Sequence, residues 1–201
     1  GDGSDELMGG YLYFGHAPNE LDFDHESRRL LSHIHYFDVL RSDRSISSHG
    51  LEPRTPFLDR EWTQFYLSIH SKIRSHPLNK KCEKYLIRQA FDDDTYLPKE
   101  ILFRKKEAFS DGVSSINRSW YEIIDEKVET AIIDQEISNN WQELLQEYQS
   151  KYNPPKTKEQ LYYRVIYDLQ YPHCEELIPY YWMPKFILAK DASARTLNIY
   201  N

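Results

Sequence analysis

The run Gly1-Asp2-Gly3-Ser4-Asp5-Glu6 places three carboxylates within five residues, at Asp2, Asp5 and Glu6. Acidic side chains this close repel one another unless a cation sits among them, and an all-oxygen donor set suits magnesium or calcium. Asp2, Ser4 and Glu6 alternate as the first ligands of a calcium loop do. Leu7, however, stands where that loop needs glycine and Tyr13 where it needs glutamate. A bare phosphate cradle does not fit either, since no lysine follows the glycines and Asp2 and Asp5 repel phosphate without a bridging metal. The residues leave two readings: a nucleotide–magnesium site, or an acidic start to a helix.

Two further charged runs could carry chemistry. Arg104-Lys105-Lys106-Glu107-Ala108-Phe109-Ser110-Asp111-Gly112 sets three cations ahead of a Ser-Asp-Gly turn. A lysine binds phosphate as a point charge, so one of these can meet a triphosphate; the alternative is a solvated charged face. Asp38, Arg41, Asp43, Arg44, Glu52 and Arg54 alternate in sign, which suggests ion pairs of little value at a surface unless they line a passage or an interface. The eight histidines are scattered, with His33 and His35 diverging on their helix. No nucleophilic triad and no zinc-protease pairing is present.

The elements that must hold these residues read as helices. Ser4 is a candidate cap for a helix from Asp5 to about Phe14, with Asp5 and Glu6 in its first turn. Gly9-Gly10 then either ends that helix or lets another backbone approach. A second helix runs from about Asp24 to Leu40, its Leu30, Leu31, Ile34, Phe37 and Leu40 stripe facing a core. A polar run to Gly50 follows, and Pro53 and Pro56 forbid a regular helix around Arg54. Helices are expected again at Arg60–Ile69, Glu83–Phe91, Asn117–Ser138, Trp141–Gln149 and Lys158–Gln170. An extended, aromatic and proline-rich segment follows Tyr171. As given, the chain is mainly α.

Composition bounds the partners. The 201 residues carry a net charge of −7, with 40% apolar and 28% charged residues, enough for a real core. A pI near 5.6 argues against nucleic acid. No apolar run approaches membrane-spanning length. Cys82 and Cys174 are too few for a disulfide framework, which fits a reducing, cytosolic setting. Sixteen tyrosines against seven glycines point to half-buried packing surfaces and interfaces or to an aromatic-rich helical core. The opening without methionine suggests a cut through a longer protein.

Taken together, the motifs resemble the synthetase domain of the glutamine-hydrolysing asparagine synthetases. Gly1 to Tyr11 is similar to that family's acidic loop, and Gly50-Leu51-Glu52-Pro53-Arg54-Thr55-Pro56-Phe57-Leu58-Asp59 to a second signature. Glu83-Lys84-Tyr85-Leu86-Ile87-Arg88 and Lys106-Glu107-Ala108-Phe109-Ser110-Asp111-Gly112 resemble a third and a fourth. Pro155-Lys156-Thr157-Lys158-Glu159, Tyr181-Trp182-Met183-Pro184-Lys185 and Ser193-Ala194-Arg195-Thr196-Leu197 are similar to the animal-type members.

The resemblance implies that residues 1–201 form the C-terminal part of an α/β synthetase domain of the ATP-pyrophosphatase (adenine nucleotide α-hydrolase-like) type. The family's glutaminase domain and pyrophosphate loop are not among these residues. It also implies a carbon–nitrogen ligase: aspartate attacks the α-phosphorus of ATP to give β-aspartyl-AMP and pyrophosphate, and glutamine-derived ammonia displaces AMP. Gly1, Asp2 and Gly3 match positions at ATP, and Lys106 the lysine that meets its phosphates. Asp5 matches a magnesium ligand. Asp2 matches an acidic residue that forms or consumes the intermediate; many members have glutamate there. Glu6, Asp38, Arg41, Asp43, Glu52 and Arg54 match residues along the ammonia tunnel. The implied partners are ATP, L-aspartate and ammonia, with a homodimer open to the full-length enzyme and no membrane or nucleic acid. The isolated chain is expected to be inactive. Competing readings are a related carboxylate-adenylating synthetase and a non-catalytic paralogue that only binds partners.

Overall fold

The computed structural model describes residues 1–108, 113, 118–134 and 140–189, and their regular structure is helical. Two compact units result. The described part of the first comprises Gly1–Lys106 and Pro184–Leu188, that of the second the described residues between Glu107 and Met183 together with Ala189.

In the first unit α1 (Ser4–Met8) is a core helix, with Leu7 and Met8 buried against Tyr66 and the partly buried Leu31, Phe57, Trp62, Leu86 and Ile87. A 3-10 turn (Leu12–His16) leads to α2 (Glu20–His33). Asn19 starts α2 by accepting from the Leu21 and Asp22 N–H groups at 3.0 and 2.9 Å, and Glu20 and Asp22 suit its first turn. The unit continues through α3 (Asp38–Ser47), α4 (Arg60–Ser68), α5 (Ser71–Arg74), α6 (Tyr85–Ala90) and α7 (Lys99–Leu102). Asp59 caps α4 at Trp62 N–H, 3.0 Å away.

Buried charges tie these elements together. Glu26, fully buried, accepts from Tyr13 Oη at 2.7 Å and from Arg29 at 2.7 and 2.8 Å. Lys185 reaches the same carboxylate at 3.7 Å, which anchors the Pro184–Leu188 segment on α2. Arg74, also buried, pairs with Asp24 and donates to the Ile69 carbonyl, so α5 is fixed to α2.

The second unit contains α8 (Trp120–Asp134), α9 (Trp141–Tyr148) and α10 (Lys158–Gln170). Tyr148, Leu161 and Val165 make its core, bordered by Trp141, Leu144 and Leu145. Asn140 and Thr157 cap the last two helices. Arg164, buried on α10, pairs with Asp168 and donates to the carbonyls of Tyr152 and Asn153, pinning the loop ahead of that helix.

Several expectations about elements need correction. Ser4 is not a cap: Gly3, at φ 84°, precedes α1 in the left-handed region, and Ser4 is the helix's first residue. The helix ends at Met8 and not near Phe14, because Gly9 takes φ 61° and terminates it. The helix expected from Asp24 to Leu40 starts earlier, gives way to a 3-10 turn at Ile34–Tyr36, and breaks at Phe37 (φ −124°, ψ −103°). The expected polar run from Arg41 is largely helical, in α3. The Ser110-Asp111-Gly112 turn and the Ser193–Leu197 motif lie outside the described residues, as do the two ends of the helix expected at Asn117–Ser138.

Candidate functional site

The first carboxylate that could do chemistry, Asp5, sits at the second position of α1 and is held by two lysines from distant segments. Lys84 Nζ lies 2.7 Å from Oδ1, and Lys106 Nζ lies 3.1 Å from Oδ2. Lys84 also donates to Ser4 Oγ at 2.9 Å. All three charged side chains are about a fifth exposed, so the cluster is shielded but reachable. Burial pushes the Asp5 carboxyl up, yet Lys84 and Lys106 together outweigh that and hold it below the ordinary aspartate range. Two ammonium groups on one carboxylate leave one positive charge in surplus.

Local structure explains how each group is aimed. Lys84 precedes α6 with φ 57°, a left-handed conformation that is costly for a lysine and that sends the chain into α6 beside α1. Arg88, on α6, pairs with Glu83 at 2.5 Å and donates to the carbonyls of Leu102 and Arg104 at 2.7 and 2.9 Å. That grip fixes the strand of chain ending two residues later at Lys106. Sequence reasoning missed Lys84. The signal available was its place in the Glu83–Arg88 motif, but nothing local says that a lysine 79 positions away points at Asp5.

The second group starts from the next residue of α1. Glu6 is only 5% exposed; Tyr11 Oη donates to its Oε1 at 2.5 Å and stands 3.1 Å from Asp38 Oδ2. Arg41 holds the other Asp38 oxygen at 2.5 Å. Burial raises the Glu6 carboxyl, the Tyr11 hydrogen bond opposes this, and the nearby Asp38 charge adds to it, leaving Glu6 pushed up to about 7. Burial together with Glu6 and Asp38 also drives the Tyr11 phenol far above its usual range. Tyr11 is the second residue that sequence reasoning passed over. The break at Phe37 is what turns Asp38 toward it.

Of the six residues matched to a tunnel, the structure therefore brings Glu6, Asp38 and Arg41 into one chain through Tyr11. Asp43 is exposed further along α3. Glu52 and Arg54 form their own ion pair at 3.1 Å, with 72% and 81% of their side chains exposed. Gly1 is exposed and Asp2 half-buried ahead of α1, while Gly3 is buried with Leu58 against its α-carbon. Among the described residues, no three His, Cys, Asp or Glu side chains gather into a metal site of their own.

Comparison with known proteins gives the family. The family model described as asparagine synthase matches residues 15–166. The chain is 48% identical over 202 residues to a protein of Gallus gallus named asparagine synthetase [glutamine-hydrolyzing]. It is 46% identical over 200 residues to the proteins of that name from Homo sapiens and Mus musculus. In each case all of this chain aligns, and it spans 34% of the relative's length, about a third.

Proposed function

The chain belongs to the asparagine synthase family, and on that premise we propose that it supplies part of an ATP-dependent, glutamine-hydrolysing asparagine synthetase. The reaction is adenylation of the L-aspartate side-chain carboxylate, with release of pyrophosphate, followed by attack of ammonia and departure of AMP. The observation that carries this reading is the Asp5–Lys84–Lys106 cluster. The expected repulsion of phosphate by Asp5 falls away once two lysines outweigh it, and the surplus charge suits a polyphosphate.

In this reading Lys84 and Lys106 bind the nucleotide's phosphates, and their charge counts most as negative charge builds on the departing pyrophosphate. Each lysine exchanges Asp5 for phosphate as the nucleotide enters. Gly1 and Gly3 present backbone to the nucleotide, and Asp2 acts on the formation or consumption of the acyl-adenylate. Magnesium characteristically takes one or two carboxylates and fills its shell with phosphate and water. A single carboxylate, Asp5, fits that pattern and would hold magnesium together with the nucleotide. The metal supplies neutralisation of phosphate charge when bound.

Ammonia must arrive unprotonated, so its passage needs walls that exclude water. The Glu6–Tyr11–Asp38–Arg41 chain supports a role on that passage, since Arg41 pairs with Asp38 and burial disfavours charge on Glu6. Glu52, Arg54 and Asp43 are assigned to its approaches. The ATP-pyrophosphatase fold, of which these helices are the C-terminal part, belongs to the same proposal. Cys82 and Cys174 are free thiols, in keeping with a cytosolic protein, and among the described residues no helix is long and apolar enough to cross a membrane.

The test is product analysis on the protein that carries this chain. ATP, aspartate and ammonia should yield AMP, pyrophosphate and asparagine in equal amounts. ADP and phosphate as products, or adenylation of a carboxylate without asparagine, would overturn the assignment.

A further inference from the structure

We propose that Gly10 is a positioning residue for the nucleotide cluster, required for the room it leaves beside Asp5 and Lys84. A β-carbon built on Gly10 would lie 2.0 Å from Asp5 Oδ1, 2.2 Å from Lys84 Cε and 3.0 Å from the Asp5 α-carbon. The first two are deep overlaps, since carbon atoms settle at about 3.5–4.0 Å. Gly10 is not among the residues with positive φ, so an alanine meets no backbone objection there. The requirement is for space alone. Its neighbour Gly9 differs, because its φ of 61° is what ends α1.

Gly10 cannot retreat from an added methyl group. Its N–H donates to the Asp5 carbonyl at 2.8 Å, tying it to the helix that carries the cluster. Below it, His76 Nε2 lies 2.9 Å from the Gly9 carbonyl oxygen, and the buried imidazole stands edge-on to Phe23. Leu7 and Met8 hold the preceding turn in the core. With the turn fixed on these sides, the atoms that yield to a methyl group are the Asp5 carboxylate and the Lys84 stem. Displacing a positioned group by about 1 Å costs on the order of 10²-fold in rate.

The inference rests on reading the cluster as the nucleotide site, so its test separates the two. In the protein that carries this chain, Gly10→Ala, Lys84→Ala and the double variant form a cycle. Gly10→Ala is expected to lower turnover by about 10²-fold and to move the KM for ATP less. In the Lys84→Ala background the same change should cost only about tenfold, because the lysine stem is gone and the Asp5 carboxylate alone is still struck. Losses that multiply independently would overturn the proposal.

Stability gives a second readout, which also serves if Gly10→Ala alone does not fold. Adding Gly10→Ala to Asp5→Ala/Lys84→Ala should lower the melting temperature by no more than about 5 °C, since both overlapping side chains have been cut back and only the 3.0 Å approach to the Asp5 α-carbon remains. A larger drop would mean that the space serves something else, and the proposal is wrong. A Lys84→Ala variant with full turnover would overturn the nucleotide reading instead, and the melting comparison would still decide whether Gly10 makes room for these two side chains.

Discussion

Lys84 and Lys106 divide one carboxylate between them, each ammonium taking a different oxygen of Asp5 at 2.7 and 3.1 Å. The arrangement stores two positive charges on one negative one, so under the proposed function an arriving phosphate would find lysines already gathered and partly desolvated. Much of the cost of ordering two long side chains is met in folding and not in binding.

Replacing Lys106 with methionine should therefore lower turnover by about 10²- to 10³-fold, and raise the KM for ATP by less. Steady-state kinetics with ammonia as nitrogen donor measures both. Wild-type turnover would return residues 104–107 to a solvated charge run.

Asp5→Asn removes the charge that gathers the lysines as well as the carboxylate that the proposed function gives to magnesium. Weaker binding of the magnesium nucleotide is expected, with partial rescue at high magnesium. Titration of ATP at two magnesium concentrations checks it; equal affinities at both would sink the metal role.

Glu52 and Arg54 pair at the surface, where an ion pair contributes little to stability. Alanine at either position should leave the melting temperature within about 2 °C of wild type and spare synthesis from added ammonia. Synthesis coupled to glutamine should fall. Comparing the two nitrogen donors in one assay decides, and equal losses with both would remove these residues from the ammonia route.

Stability should show two opposed pH dependences. His76, buried, is pushed down to about 4 from 6.5, burial outweighing its contact with the Gly9 carbonyl, so the unfolded chain binds a proton that the folded one refuses. Its contribution is lost as pH falls from about 6.5 to 4. Glu6 is raised from 4.5 to about 7, so the folded chain keeps a proton that the unfolded one has released, and stability declines as pH rises across that window. Glu6→Gln should leave the His76 slope exposed, making stability rise with pH between 4 and 6.5. Urea melts across that range test the sign.

Arg164 is the buried anchor of the second unit, with an oxygen partner on Asp168 and two on the chain at residues 152–153. Arg164→Met should cost about 3 kcal/mol or more, because it strands Asp168 and two carbonyls. Denaturant unfolding followed at a residue of the second unit reads this directly.

Three of the helices with side-chain caps are the easiest to place from sequence, although α2, capped by Asn19, starts four residues before its expected position. α4, α9 and α10 fall within a residue of their expected ends, since Asp59, Asn140 and Thr157 mark their starts by a purely local hydrogen bond. The break at Phe37 is invisible for the opposite reason: no proline or glycine stands there, and the partner Asp38 meets, Tyr11, is 27 positions away. The site divides in the same way. Asp5 and Lys106 stand out as charges beside glycines and turn residues, but a sequence lists them without saying that they meet. Lys84 and Tyr11 become meaningful only through a partner in space. Glu52 and Arg54, equally prominent in the sequence, proved to be exposed.

The distances along the chain also set an order of events. Ser4 and Lys84 are 80 positions apart and Asp5 and Lys106 are 101, so no short segment contains the cluster. Closing so long a loop is entropically slow compared with forming the helices on either side. In a chain emerging from the ribosome, Leu7 and Met8 find their apolar partners by Ile87, whereas the cluster is complete only once Lys106 has appeared. The cluster should thus be the last feature of its unit to form and the first to go in mild denaturant, with catalysis failing while the helical signal is still intact.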